Sequence, residues 1–269
     1  MNVADPLLVA TAIEAALQAG RTHLRYFRQA PAITKKGRID LVTAADLAAE
    51  RDFRALIGRR FPSHEVLGEE MTPVPGAGNA RYRWIIDPVD GTTNFAHGLA
   101  CFCVSIALQV DGRIEIGAIY DPVARELFTA ERGAGARLNG LPIRVTTCAT
   151  LVDALLCTGF PYTIRDERRR QVDVFAAFLE EAQAVRRLGS AALDLCYVAC
   201  GRFDGYWEEK LHVWDIAAGA LIVEEAGGTV TGLDGQPFDP FSGHLVASAP
   251  SLHARILDVI SRARQRPQA

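Results

Sequence analysis

The sequence lacks a strong excess of charge of either sign, and it lacks a long uninterrupted apolar run. Its 269 residues include 29 basic and 32 acidic side chains, which gives a net charge of −3 at pH 7. A chain so nearly neutral has no general attraction for polyanions, so charge gives no reason to expect a nucleic-acid partner. The longest apolar run, Leu99 to Val110, contains Ser105 and Gln109 and is too short to cross a bilayer. We therefore expect no membrane span.

Two further patterns are missing, a targeting segment and a cysteine-based metal site. The N-terminal stretch has no basic start followed by an apolar segment, since Asp5 and Glu14 interrupt it, so we expect no signal peptide. The six cysteines include no paired C-x-x-C spacing, and no His cluster accompanies them. Their expected role is that of small apolar core residues in a reducing compartment. These absences together predict a cytoplasmic protein.

What is present is an ordinary globular composition, with 49% hydrophobic and 23% charged residues. Helical periodicity predicts helices from Asp5 to about Arg28 and from Thr43 to Arg60, and short apolar runs with turn signals between them then predict successive strands. Beyond Thr147 the strand-like and helical segments alternate. We expect an N-terminal α+β lobe over residues 1–147 and a C-terminal α/β lobe over residues 148–269, joined in one compact catalytic unit.

Four acidic segments lie where a predicted strand ends or a predicted helix begins. Each has a common structural explanation by itself: a turn at Asp-Pro or Asp-Gly, a solvated strand edge, or an acid that caps a helix. Their joint occurrence favours a shared site. The segments are D-L-V-T-A-A-D from Asp40 to Asp46, G-E-E from Gly68 to Glu70, D-P-V-D-G-T-T-N-F from Asp87 to Phe95, and Trp214-Asp215.

The D-P-V-D-G segment has features that suit a phosphate site. Pro88 fixes one φ angle and Gly91 permits a tight backbone path, so Asp87 and Asp90 can face the same point. After Gly91, successive backbone N–H groups and the Thr92 hydroxyl would suit a phosphate at a short helix start.

Two carboxylates beside an anion site repel each other unless a cation lies between them. Oxygen donors without a His or Cys companion favour Mg²⁺ over zinc. With Glu69 and Asp215 added, the acidic cluster could hold two or three such ions, as phosphoryl-transfer sites require.

On these segments the chain resembles the inositol monophosphatase family of Mg²⁺-dependent, lithium-sensitive phosphatases. The resemblance covers nearly the whole chain, and the motifs occur in the family's order. It implies a layered α/β/α/β/α sandwich and a homodimer. The matching motifs are Asp40 to Asp46, Gly68 to Glu70, W-I-I-D-P-V-D-G-T-T-N-F from Trp84 to Phe95, G-S-A-A from Gly189 to Ala192, W-D-I-A-A-G from Trp214 to Gly219, and E-A-G-G from Glu225 to Gly228.

The resemblance also implies roles for individual residues. The implied Mg²⁺ ligands, for two to three ions, are Glu69, Asp87, the carbonyl of Val89, Asp90 and Asp215. The implied substrate contacts are Asp90, Gly91, Thr92, Ala191, Glu208 and Asp215. Thr92, paired with Asp46, matches the group that orients the attacking water, and we expect Thr92, Asp46, Glu69 and Asp90 to take part in the reaction.

The implied reaction is hydrolysis of a small-molecule phosphate monoester, inositol 1-phosphate or a related polyol phosphate, by in-line attack of a metal-activated water. Histidinol phosphate stays open, since its amine could pair with Glu208 or Glu209. Fructose 1,6-bisphosphate stays open too, although the sequence shows no basic residues placed for its second phosphate. An alternative hypothesis is that the protein is a non-catalytic partner of the bacterial transcription machinery.

Two other features have weaker functional interpretations. His97 and His212 flank the acidic motifs and could reach the substrate rim, but a structural or surface role is the simpler expectation. Lys35-Lys36-Gly37 could form a mobile flap over the site or a solvated loop.

Overall fold

The structure is a computed structural model that describes residues 5–29, 33–35, 41–71, 81–161 and 163–265. Asp40, Lys36, Gly37 and the predicted loop of residues 73–80 lie outside the described residues, so the flap stays a prediction. The helices are α1 (Pro6–Tyr26), α2 (Ala44–Arg60), α3 (Thr92–Ala96), α4 (Ile164–Glu181), α5 (Ala191–Ala199), α6 (Val213–Glu225) and α7 (Pro250–Gln265).

The fourteen strands of the described residues form one short hairpin and two larger sheets. The hairpin pairs β1 (Ile33–Lys35) with β2 (Leu41–Thr43). The larger sheet has the order β3-β4-β5-β6-β7-β8-β9 and the other has the order β11-β10-β12-β14-β13. The strands are β3 (Glu65–Gly68), β4 (Tyr82–Asp90), β5 (Cys103–Val110), β6 (Arg113–Asp121), β7 (Glu126–Glu131), β8 (Gly135–Leu138), β9 (Leu141–Pro142), β10 (Leu155–Thr158), β11 (Ala184–Arg186), β12 (Gly205–Glu209), β13 (Thr229–Thr231) and β14 (His244–Ser248).

The seven-stranded sheet is covered by helices on both faces because its central strands are apolar on both faces. Side chains alternate across a strand, so Trp84 and Ile86 of β4 pack with α1 and α2, while Ile85 packs with α5 and α6. The antiparallel half that the sequence predicts is present from β4 to β9. The exception is β3, which pairs with β4 in parallel.

The five-stranded sheet is covered in the same way. Leu156 and Trp207 pack against α4 and α7, whereas Cys157 and Tyr206 face the core that contains α5 and α6. Helices α5 and α6 therefore lie between the two sheets, and the layer order is helices, sheet, helices, sheet, helices. The predicted α/β/α/β/α sandwich is confirmed.

The two sheets take their strands from opposite sides of residue 148, and α5 and α6 bury side chains against both. The division into two lobes at that residue stays a prediction. Across the described ranges, none of the helices combines the length and the apolar character that a bilayer crossing needs.

Candidate active site

A cavity of about 530 Å³ opens where the end of β4, the start of α5 and the start of α6 meet. All the predicted ligands and substrate contacts line it. They are Glu69, Asp87, Val89, Asp90, Gly91, Thr92, Ala191, Glu208 and Asp215. Asp46 is the one predicted catalytic residue that does not line the cavity; it lies fully buried behind Thr92.

The end of β4 brings the aspartates of the D-P-V-D-G segment together. The carboxylate of Asp87 accepts a hydrogen bond from Val89 N at 2.9 Å, and the pairing of β4 with β5 shifts register between Asp87 and Asp90. Gly91 then turns the chain into α3 with a φ of 92°, in the left-handed region that favours glycine. A Cβ atom at this position would lie 2.9 Å from the carbonyl oxygen of Cys101, so the turn needs glycine for space as well.

Thr92 is held by acceptors on its inner side. Its hydroxyl lies 2.9 Å from the carbonyl oxygen of Val89 and 3.5 Å from Asp46 Oδ1. The predicted contact of Thr92 with Asp46 is therefore longer than the contact of Thr92 with the Val89 carbonyl. Asp46 is itself fixed by Thr43, whose backbone N–H donates to its carboxylate at 2.9 Å in a capping box at the start of α2.

The second half of the chain supplies donors to Asp90. Asp90 Oδ2 accepts hydrogen bonds from the Ser190 hydroxyl and from Ala192 N at 2.8 Å, both at the start of α5. Asp215 lies in the first turn of α6 and accepts a bond from His212 N at 2.7 Å. The helix begins at Val213 with His212 as its N-cap, so Asp215 is not the N-cap and closes a capping box instead.

Burial and neighbouring negative charges raise the pKa values of Asp87 and Asp90. Burial raises the pKa of Asp87 well above its usual range, and the negative charges of Glu69, Asp90 and Asp215 raise it further. The pKa of Asp90 rises to about 7 because of burial and the charge of Asp215, against the lowering effect of its bonds from Ser190 and Ala192. Burial likewise raises the pKa of Asp46 to about 6. Such mutual repulsion is what a bound cation would relieve.

The residues of this wall fit a hard divalent cation by their chemistry. The donor set is made of carboxylates and a backbone carbonyl, without nitrogen or sulfur, and these groups share one cavity. Within the described ranges, no three His, Cys, Asp or Glu side chains already stand in a metal-binding arrangement. The fit therefore rests on the kind of donor atoms and on their shared cavity. In this structure, Asp90 and Asp215 accept hydrogen bonds from protein groups.

Strand β12 contributes Glu208 to the cavity, and α5 contributes Ala191. Glu208 is buried there and accepts a hydrogen bond from the Tyr206 hydroxyl at 2.5 Å. Burial raises the pKa of Glu208 to about 8, and the charge of Asp215 adds to this. Glu209 does not line the cavity and forms an ion pair with Arg264.

Two basic residues of the cavity were missed by the sequence analysis. Arg187 and Lys210 line the same cavity as Glu208, whereas the sequence analysis found no basic residue placed for a second phosphate. Arg187 lies two residues before the G-S-A-A motif and Lys210 follows Glu208-Glu209, and this closeness to the motifs was the available signal. His212 also lines the cavity and stacks on Trp214 at 4.8 Å between ring centroids, whereas His97 ends α3 and does not line it.

Comparison with known proteins places this site in a family. The sequence matches the model described as "Inositol monophosphatase family" over residues 6–265. The chain belongs to the inositol monophosphatase family. Members of this family generally depend on metal ions and act on small phosphate monoesters.

Relatives within the inositol monophosphatase family carry two kinds of name. A protein named Nus factor SuhB from Pasteurella multocida is 43% identical over 251 residues, which cover 93% of this chain and 94% of that protein. An inositol-1-monophosphatase from Synechocystis sp. is 42% identical over 255 residues, covering 94% of this chain and 88% of that protein. The solved structure of an inositol monophosphatase from Anabaena superposes with a TM-score of 0.87 at 41% identity, covering 95% and 96% of the two chains. The similarity supports a phosphatase and leaves its substrate open.

Proposed function

We propose that this chain is a Mg²⁺-dependent phosphomonoesterase that hydrolyses inositol 1-phosphate or a related polyol or sugar phosphate to the alcohol and phosphate. The observation that carries the proposal is that four carboxylates, Thr92 and Glu208 all line one cavity. The proposal includes two or three Mg²⁺ ions. A homodimer and a cytoplasmic location belong to it as expectations from the family resemblance.

Mg²⁺ would be held by Glu69, Asp87, the carbonyl of Val89, Asp90 and Asp215. When bound, Mg²⁺ makes a coordinated water more acidic and offsets the negative charge that develops on the departing alkoxide. The backbone at Gly91 and Thr92 would bind the phosphate, because the left-handed turn at Gly91 exposes N–H groups at the start of α3.

Thr92 would orient the attacking water. Its hydroxyl proton is directed to the Val89 carbonyl at 2.9 Å, with Asp46 behind it, so its lone pairs remain to accept a hydrogen bond from water. Asp46 would hold Thr92 in this orientation rather than touch the substrate.

Glu208 and Ala191 would contact the alcohol part of the substrate. Tyr206 engages one carboxyl oxygen of Glu208, which leaves the other for a substrate hydroxyl or amine. Histidinol phosphate therefore keeps one of its two proposed partners, since Glu209 pairs with Arg264. Arg187 and Lys210 support a substrate with a second anionic group, such as fructose 1,6-bisphosphate.

The test is phosphate release in the presence and absence of Mg²⁺ from myo-inositol 1-phosphate, histidinol phosphate, fructose 1,6-bisphosphate and 3′-phosphoadenosine 5′-phosphate. The substrate with the highest kcat/KM names the alcohol. The Asp90→Asn variant serves as the blank, and we expect it to lose at least about 100-fold in kcat because it removes a charge from the metal-binding wall. Absence of Mg²⁺-dependent release from all four esters would contradict the proposal.

A second candidate function is a role with the transcription machinery, and the 43% identity to a protein named Nus factor SuhB favours it. Complementation separates the two functions. If Asp90→Asn abolishes phosphate release yet fully rescues a deletion strain, the physiological role is binding. If rescue is lost together with activity while the variant remains folded, the role is catalysis.

A further inference from the structure

One face of α2 carries three ionisable residues at four-residue spacing, Asp46, Glu50 and Arg54. Asp46 and Glu50 have no exposed surface, and the Arg54 side chain is 14% exposed. Burying a carboxylate is costly unless hydrogen bonds compensate it. Asp46 lies behind Thr92, whereas Glu50 lies one turn further along and takes no part in the proposed chemistry.

Glu50 uses both of its carboxylate oxygens to hold the backbone that follows Glu69. Its Oε2 accepts a hydrogen bond from Glu70 N at 2.8 Å, and its Oε1 accepts one from Met71 N at 3.2 Å. Arg54 Nε also donates to Oε1 at 2.8 Å, which balances the buried negative charge.

Arg54 extends this attachment to the other side of Glu69. Its guanidinium donates to the carbonyl of Val66 at 3.3 Å and to the carbonyl of Met71 at 2.9 Å. The chain is therefore bound to α2 both where β3 enters the turn and where the turn ends.

Gly68 supplies the space for this arrangement. A Cβ atom at residue 68 would lie 2.2 Å from Glu50 Oε1. The backbone of Gly68 is not in the left-handed region, so the close approach of Glu50 is the reason for glycine here. In the G-E-E motif, Gly68 is therefore required by the close approach of Glu50, and the backbone N–H of Glu70 donates a hydrogen bond to Glu50.

We propose that Glu50 is a positioning residue for Glu69, acting through the backbone of residues 68–71 to hold the Glu69 carboxylate at the metal-binding wall. The inference rests on the proposed function, in which Glu69 is a Mg²⁺ ligand. Helix α2 then fixes two parts of the site from one face, Thr92 through Asp46 and Glu69 through Glu50.

The variant Glu50→Gln isolates the contribution of the carboxylate. Glutamine has the same shape but only one acceptor oxygen, so its NH₂ group would face a backbone N–H and one bond of the pair would be lost. Loss of groups that orient metal ligands typically weakens metal binding 10–100-fold. We expect Glu50→Gln to weaken Mn²⁺ binding at one ion by about 10-fold or more. The KM for substrate at saturating Mg²⁺ should stay within about twofold.

The matched control is Asp121→Asn. Asp121 is a buried carboxylate that accepts bonds from two successive backbone N–H groups, Val123 N at 2.8 Å and Ala124 N at 2.9 Å, in a turn that does not line the cavity. Both bonds reach Oδ1, an oxygen that asparagine keeps, so Asp121→Asn controls for the removal of one buried negative charge away from the site. An effect of net charge on Mn²⁺ binding would appear in both variants, whereas a positioning role affects only Glu50→Gln.

The experiment measures binding of Mn²⁺ alone to the full chain by electron paramagnetic resonance, with kcat and KM followed as a function of Mg²⁺ concentration. Weakened binding in Glu50→Gln but not in Asp121→Asn supports the inference, and wild-type affinity in a folded Glu50→Gln overturns it. If Glu50→Gln does not fold, Arg54→Met takes its place, with the same expected direction. If the wild type binds Mn²⁺ but cleaves none of the esters, the proposed reaction fails while the binding result still decides on Glu50. A wild type that binds no Mn²⁺ overturns both.

Discussion

At the scale of single residues, buried polar groups from outside the cavity fix its backbone. His23 of α1 is one of them. Its ring is fully buried among aromatic side chains, and Nε2 lies 2.7 Å from the carbonyl oxygen of Pro88, so Nε2 carries the proton that is donated. This bond holds the peptide that precedes the Val89 carbonyl.

His23 predicts a specific dependence of stability on pH. Burial lowers the pKa of His23 from 6.5 to about 4, against the raising effect of its bond to Pro88. The unfolded chain therefore binds a proton below pH 6.5 that the folded chain does not bind until about pH 4. Stability from this residue is complete above pH 6.5 and is lost as the pH falls toward 4, by about 2 kcal/mol between pH 7.5 and 5.

Urea unfolding of the wild type and of His23→Leu at pH 7.5 and 5 measures this contribution. Between pH 7.5 and pH 5, the free energy of unfolding of His23→Leu should fall by about 2 kcal/mol less than that of the wild type. In the control His97→Leu, which replaces an exposed histidine, the fall in the free energy of unfolding should equal that of the wild type. Equal losses in wild type and His23→Leu would contradict the assignment.

At the scale of elements, β12 places Tyr206 beside Glu208, the residue that we propose contacts the alcohol. Tyr206 and Glu208 are two residues apart, so they share one face of the strand, and the phenol donates to the carboxyl group at 2.5 Å. Tyr206 is fully buried, so its replacement by phenylalanine leaves the Glu208 oxygen that it contacts without this donor.

The variant Tyr206→Phe tests this pair. We expect the free energy of unfolding to fall by about 1–2 kcal/mol. The KM for inositol 1-phosphate should rise about 3–10-fold with little change in kcat, because we propose that Glu208 contacts the alcohol part of the substrate and not the phosphorus. Steady-state kinetics and urea unfolding give both values, with Tyr82→Phe in β4 as the control outside the cavity. A fall in kcat with unchanged KM would contradict this role.

The sequence patterns predict most elements because local residue chemistry decides them. The predicted helices from Asp5 to about Arg28 and from Thr43 to Arg60 correspond to α1 and α2, and their bounds differ by no more than two residues. The strands β8 and β9 were not predicted because they are short and have little apolar periodicity. The parallel pairing of β3 with β4 depends on long-range packing that no local pattern contains.

In the site, too, residues of a local motif could be predicted from the sequence, whereas residues whose role depends on long-range packing could not. Asp87, Asp90 and Gly91 could be singled out because they form one motif whose turn chemistry is local. Glu50 and Arg54 could not, since an acid and a base four residues apart on a helix are typical of a solvated surface pair. Only the packing of α2 against the turn after β3 gives them a role.

At the scale of the whole molecule, the crowding of carboxylates in one cavity links metal binding to stability. Asp87 and Asp90 have raised pKa values because burial and like charge oppose their ionised forms. A divalent cation that binds only the folded chain stabilises it by mass action, by about 2.7 kcal/mol at 100 times its Kd.

We therefore expect removal of divalent ions with a chelator to lower the Tm, and Mg²⁺ to restore it by at least several degrees. Differential scanning calorimetry checks this, with NaCl at equal ionic strength as the control for screening. Asp90→Asn should show a smaller response to Mg²⁺. A response to NaCl as large as the response to Mg²⁺ would contradict a specific site.

The bonds from Ser190 and Ala192 to Asp90 join residues 100 and 102 positions apart in the chain. All strands of the seven-stranded sheet end by Pro142, so during synthesis they can pair with one another before α5 has been made. Throughout that interval Asp90 has neither donor, and the wall that contains Glu208 does not exist. The cavity can therefore be complete only after the second half of the chain has been made and has packed against the seven-stranded sheet.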